Sequence, residues 1–355
     1  GPMTTERTPE LLARDQGLDA RSDRYPDLVR GVVLAPWIAA GTDRPDKATQ
    51  LAARTVAALD EVAGWASDGQ SADPTACAWL SYLRWAVANG AQLPDDAPHP
   101  PSDDLDRHHP VLAAPGEHAG DSFDALATGS LGEVVRPVLP AADSPEVLAR
   151  TAPYGVAPTI GWKTLVALAV DSAAITHGSP EAQTAAVGVA LAVHAAARAA
   201  ETGATVQDVL TETARVCAVV TRPAPRTLEL LAQCAEPDSR RELLAAAPDL
   251  AVRGEHAAST ALALGLAALA DAAPLQSPAS ATPGDDAARR ASAALPGDTP
   301  VHTAARAVAT TVAAAMWGLS GTGPAASETP GTSARDATRA DLLALADEWI
   351  SRWCA

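Results

Sequence analysis

The sequence predicts an all-α protein built as a single compact multi-helix domain, and three observations carry that prediction. Apolar residues recur at helical spacing along most of the chain, helix start and stop residues bracket those runs, and no segment shows convincing strand alternation. A length of 355 residues allows two domains, but composition does not shift across the interrupting loops and no internal repeat is visible. One domain is therefore expected over residues 26–355. Hydrophobic residues make up 47% of the chain and aromatics only 3%, so alanine does most of the filling, which suits helices that approach closely.

The elements follow in order. The opening Gly-Pro-Met reads as the scar of a removed tag, and residues 1–25 are expected to be a flexible N-terminus. RGVVLAPWI (30–38) is the one short strand candidate, and Pro36 weakens it. From Lys47 to Trp65 a helix is predicted, with Leu51, Val56, Leu59, Val62 and Trp65 at steps of three to five. CAWLSYLRWAVANG (77–90) is a second helix that ends at Gly90, and LVALAVDSAAITHG (165–178) ends at Gly178, a natural left-handed cap. The next helix starts at once, with Ser179 as N-cap, Pro180 at the first position and Glu181 in the first turn. Further helices fit 206–220, 225–235, 255–271 and 303–317, and DLLALADEWISRWC (341–354) places Leu342, Leu345, Trp349 and Trp353 on one stripe. Segments 93–110, 272–287 and 319–335 read as loops, the acidic tract SDDLD (102–106) as a solvated one.

The net charge of −17 argues against a nucleic-acid partner, because phosphate binding needs clustered Lys and Arg, and it disfavours anionic membranes. No run of 18 apolar residues exists to span a bilayer. Cys77, Cys217, Cys234 and Cys354 show no metal-like spacing. A cytoplasmic protein is expected.

Few residues point to chemistry. TDRPDKATQ (42–50) stands at the mouth of a helix and reads as an ordinary cap, a metal site or what is left of one. His177 precedes a helix N-terminus, either as an anion-binding corner or as a histidine satisfying the preceding carbonyls. Asp298, with Thr299, His302 and Thr303 nearby, is a metal ligand or a helix cap. Adjacent His108 and His109 are poorly placed to share a metal. No G-x-S-x-G, phosphate loop or Cys/His pairing is present.

Five segments, taken in order, resemble the ADP-ribosylglycohydrolase family of the dinitrogenase-reductase-activating type. They are APGEHAGDSFDALATGSLGEVVRP (114–137), VLARTAPYGVAP (147–158), AAITHGSPEA (173–182), RGEHAASTALALGLAAL (253–269) and LPGDTPVHTAARAVATTVAAAMWGL (295–319). The resemblance runs from about residue 28 to 350. It implies an all-α domain in which two Mg²⁺ ions, held by carboxylates from three motifs, position ADP-ribose and a water. Hard cations need such oxygen ligands.

At those motifs the chain departs from the family. The first metal-binding turn is absent after RGVVLA. At the second motif one register places Lys47 and Ala48 where two aspartates belong and keeps Thr49; the other places Asp43 first, with Arg44 and Pro45 following. Asp298 survives in the third, with Pro300 replacing its partner. The glycine-rich stretch that wraps a diphosphate in relatives is DSPEVLAR, where Pro145 and Glu146 intrude. Two unit charges 4 Å apart interact by about 4 kcal/mol at an effective dielectric of 20, so a lysine in place of a carboxylate turns attraction for Mg²⁺ into repulsion. TDRPDKATQ therefore reads as the remnant of a metal site, with Asp46, or Thr42 and Asp43, capping the helix.

The leading expectation is a pseudoenzyme that has lost the dinuclear Mg²⁺ site and binds a protein partner or small ligand, with no metal and no cofactor. A second is a metal-independent enzyme acting on a nucleotide or small metabolite, with Lys47 standing in for a cation. Around it Arg150, Tyr154, His177, Asp298, Thr299 and His302 would line the pocket. A third is an active ADP-ribosyl hydrolase with a reorganised metal site.

Overall fold

The computed structural model describes residues 11–12, 14–220, 224–279, 285–322 and 333–354. Helices α1 (Tyr25–Ala40), α2 (Lys47–Ser67) and α3 (Pro74–Ala88) come first. Four short ones follow, α4 (Asp104–His108), α5 (Pro110–Ala113), α6 (Asp121–Ala127) and α7 (Glu146–Thr151). A 3₁₀ turn over Ala152–Val156 leads to α8 (Trp162–Ala174) and α9 (Pro180–Thr202). Then come α10 (Val206–Cys217), α11 (Pro225–Ala235), α12 (Pro237–Ala245), α13 (Ala247–Val252) and α14 (Ala257–Ala272). The chain closes with α15 (Asp285–Ala293), α16 (Pro300–Trp317) and α17 (Ser333–Trp353). Among the described residues the β structure is one isolated bridge, Leu18 to Pro158.

Helices α9, α14 and α16 form the centre and pack on one another. They are buried almost all round, so their alanines lose little side-chain entropy and let the axes draw together. At Gly265 on α14 an added Cβ would meet the Ala305 carbonyl oxygen at 2.5 Å, so the closeness of α14 to α16 requires glycine there. Helix α1 packs on α16 and α17, and α2 on α3 and α7. No helix among the described residues is long and apolar enough to cross a membrane.

Several sequence expectations change. RGVVLAPWI is helical, part of α1, because the run from Gly31 to Trp37 is buried between α16 and α17 rather than alternating between two faces. A short apolar run of this kind carries no period that separates strand from helix. The N-terminal stretch is anchored where it is described: Leu11 and Leu12 are buried, the Leu12 amide donates to Glu212, and Arg198 donates to the Gln16 carbonyl. Residues 1–10 lie outside the described residues. The segment 93–110 contains α4, and its acidic tract is no mere solvated loop. Asp103 and Asp106 form a capping box, and Asp106 accepts from the fully buried Arg54 at 2.7 Å. His108 is exposed, whereas His109 is buried and bonds Glu348 at 2.8 Å. Most of the expected loop 319–335, and residues 280–284 of 272–287, lie outside the described residues; 319–322 close a 3₁₀ turn and 333–335 begin α17.

Candidate functional site

A cavity of about 1120 Å³ opens where the first turns of α2 and α16 meet the 114–121 loop and the 144–146 turn. That exceeds the roughly 300–1,000 Å³ of ordinary small-molecule sites. Its apolar floor includes Leu51, Leu148, Ala152, Val189, Ala304 and Val308, which belong to the core helices. The rim is polar, because it is made of helix starts and the loops before them.

Lys47 sets the electrostatics of one wall. Its ammonium pairs with the Glu146 carboxylate and donates to the Ala119 carbonyl oxygen at 2.8 Å. Both side chains are largely shielded, at 24% and 12% exposure, so solvent screens the pair less than a surface one. Glu146 also accepts from the Ser122 amide at 2.9 Å. Gly120, with φ +146°, adopts a conformation that favours glycine, and an added Cβ there would push the Glu146 carboxylate aside.

Each helix start around the cavity has one amide capped from within the chain. Asp46 is the N-cap of α2 and accepts from the Thr49 amide at 3.0 Å. Burial pushes its carboxyl above the ordinary value, opposed by the Thr49 hydrogen bonds and the charge of Lys47. Thr299 caps α16, accepting from the His302 amide at 3.2 Å, and Pro300 at the first helical position brings no N–H. Glu146 occupies the start of α6.

Behind the wall lies a second polar network. Ser144, which lines the cavity, is 2.9 Å from Nε2 of His177. Nδ1 of His177 is 2.7 Å from the Thr176 hydroxyl, and that hydroxyl accepts from Arg150. Arg150 also donates to the Ser172 carbonyl at 2.8 Å and lies over the Tyr82 ring, 4.8 Å from its centroid. Burial, with Arg150 nearby, lowers the His177 pKa to about 3, so the ring is neutral. The Thr176 hydroxyl accepts from Arg150, and the neutral ring carries its one proton on either Nδ1, toward Thr176, or Nε2, toward Ser144.

The sequence-derived candidates divide on this geometry. Asp46, Lys47, Ala48, Asp298 and Pro300 share the cavity wall, although they come from opposite ends of the chain. Asp43 is exposed and off the wall, its carbonyl accepting from Thr338, and Thr49 is buried with its hydroxyl turned to Asp46. Of the expected pocket residues, Arg150, Tyr154 and His177 are sealed in the interior at 0%, 2% and 0% exposure. Thr299 and His302 turn toward each other, Oγ1 to Nδ1 at 2.8 Å, and do not line the cavity. Sequence reasoning missed Glu117, Asp121 and Ser144 on the wall and the pairing of Lys47 with Glu146. Two intruding residues of opposite charge at separate motifs were the available signal for that pair. Among the described residues no three His, Cys, Asp or Glu side chains converge as a metal cage requires.

Compared with known families, the chain matches a family model described as ADP-ribosylglycohydrolase over residues 3–353. A search of curated proteins gives no match.

Proposed function

We propose, from the premise that this chain belongs to the ADP-ribosylglycohydrolase family, that it uses the family fold as a metal-independent cleft for a small ligand. Hydrolysis of ADP-ribosyl bonds with Mg²⁺ is not its activity in this reading. The observation that carries the proposal is the Lys47–Glu146 ion pair on the cavity wall. It sets an ammonium on the wall close enough to Asp46 to act on its charge, and it occupies the Glu146 carboxylate.

The wall carboxylates do not fit two Mg²⁺ ions. Asp46 is committed to Thr49, Glu146 to Lys47 and Ser122, and Asp121 accepts from the Ser144 amide. A hard divalent ion would need several of these oxygens released together and Lys47 displaced. Catalysis without a metal would need a nucleophile or base on the wall. The one histidine beside Ser144, His177, has its pKa lowered to about 3 and is a weak base for it, and this favours binding over turnover.

The test is thermal unfolding of the protein with Mg²⁺, Mn²⁺ and ADP-ribose, singly and together. A ligand that binds only the native state adds about 2.7 kcal/mol at a hundred times its Kd, a shift of a few degrees. We expect no shift from any combination. A shift with ADP-ribose that depends on the metal would overturn the reading and restore an ADP-ribosyl hydrolase.

A further inference from the structure

We propose that the ligand of this cavity is an organic cation with an apolar body, a class defined by the charges the wall leaves unbalanced. The inference rests on the metal-independent reading above and deepens it. Five carboxylates line the cavity, those of Asp46, Glu117, Asp121, Glu146 and Asp298. Against them stand Arg44 and Lys47, so the ionised wall carries a surplus of three negative charges.

Several of the donors that would welcome an anion are already engaged. Lys47 is held by Glu146 and the Ala119 carbonyl. One amide in the first turn of each of α2, α16 and α6 is taken, that of Thr49 by Asp46, that of His302 by Thr299 and that of Ser122 by Glu146. A helix start attracts phosphate only through free N–H groups, and those named here are not free. Arg44 remains, exposed at the rim.

Two wall carboxylates are uncommitted. No hydrogen bond or ion pair within the described residues engages Glu117 or Asp298, and both are exposed where the floor of Leu51, Val189 and Val308 gives way to the rim. An ammonium or guanidinium at the rim with a hydrocarbon body on that floor meets both demands: the charge pairs while half-solvated and the body leaves water. The −17 charge of the whole chain favours the same ligand at longer range.

Three probes that share one apolar body and differ in charge test the idea: 4-phenylbutylamine, 4-phenylbutanol and 4-phenylbutyrate, each titrated calorimetrically into the metal-free protein. We expect the amine to bind tightest, at least tenfold over the acid, with the gap narrowing at high salt. The exposed double substitution Asp298→Asn with Glu117→Gln should weaken the amine several-fold and leave the alcohol unchanged, which places the contact in this cavity. Equal binding of amine and acid, an amine unaffected by the double substitution, or no binding by any of the three overturns the inference. ADP-ribose binding that appears only with Mg²⁺ would instead overturn the metal-independent reading.

Discussion

Two polar networks lie on either side of the cavity wall, and they differ in what they face. The inner one, Arg150 with Thr176 and His177, is sealed from solvent, and its groups hold α7 to the end of α8 and the turn that opens α9. The outer one, Lys47 with Glu146, faces the cavity. The inner residues lie in the segments that resemble the family, THG and VLAR, whereas Lys47 and Glu146 lie outside the five resembling segments. The rest of the wall is mixed, since the 114–121 loop and Asp298 belong to resembling segments. The inner network holds helices together, and the outer one sets part of the charge that a ligand meets.

The largest expected effect tests the inner network. Arg150→Met removes an arginine whose donors satisfy the Ser172 and Ala173 carbonyls and the Thr176 hydroxyl, leaving buried acceptors without partners. Each unpaired buried acceptor costs about 1–3 kcal/mol, so the set should cost several. Urea unfolding should show a drop of that size; a drop under about 1 kcal/mol would mean that Arg150 is not the hub of the interior.

A smaller effect follows from pH. Buried His177 and His194 have pKa values lowered to about 3 and about 4 from the ordinary 6.5, through burial first and then Arg150 and Arg198 respectively. Below pH 6.5 the unfolded chain binds protons that the native state refuses. Their contribution is thus complete above 6.5 and is lost as pH falls toward the folded values. Each histidine adds a slope of up to about 1.4 kcal/mol per pH unit in that window. Unfolding midpoints taken from about pH 6 to 4 should fall less steeply in His194→Gln than in the wild type. An unchanged slope would mean that this ring is already protonated in the fold.

Legibility followed the same division. The helix starts at Lys47 and Pro180 were readable because Asp46 and Ser179 cap them by local chemistry. Helix α11 spans the range 225–235 that the sequence suggested. RGVVLAPWI was not, since burial on all sides erases the period, and neither was the role of SDDLD, whose partner Arg54 is about fifty residues away. In the cavity, Asp46 and Lys47 could be joined to Asp298 through the family resemblance alone. The inward turn of Arg150, Tyr154 and His177 depends on rotamers set by tertiary packing, which no spacing encodes.

The smallest effect decides whether the outer network is a closed pair or a waiting cation. In a cycle of Lys47→Met, Glu146→Gln and the double variant, glutamine keeps an acceptor for the Ser122 amide while losing the charge. Each single change should cost about 1–2 kcal/mol, and the double less than their sum, with a coupling of about 1 kcal/mol, more than a fully exposed pair gives. The shielding of both side chains is the reason for placing it above the surface range. Coupling near zero would mean that water screens the pair and that Lys47 is free to meet an anion. The amine should then lose its advantage over the acid in the same cavity, and the contrast between a sealed interior network and a paired cleft would disappear. Coupling of the expected size, together with an amine preference that survives Lys47→Met, would show that the cleft's negative surplus and not its lysine selects the ligand.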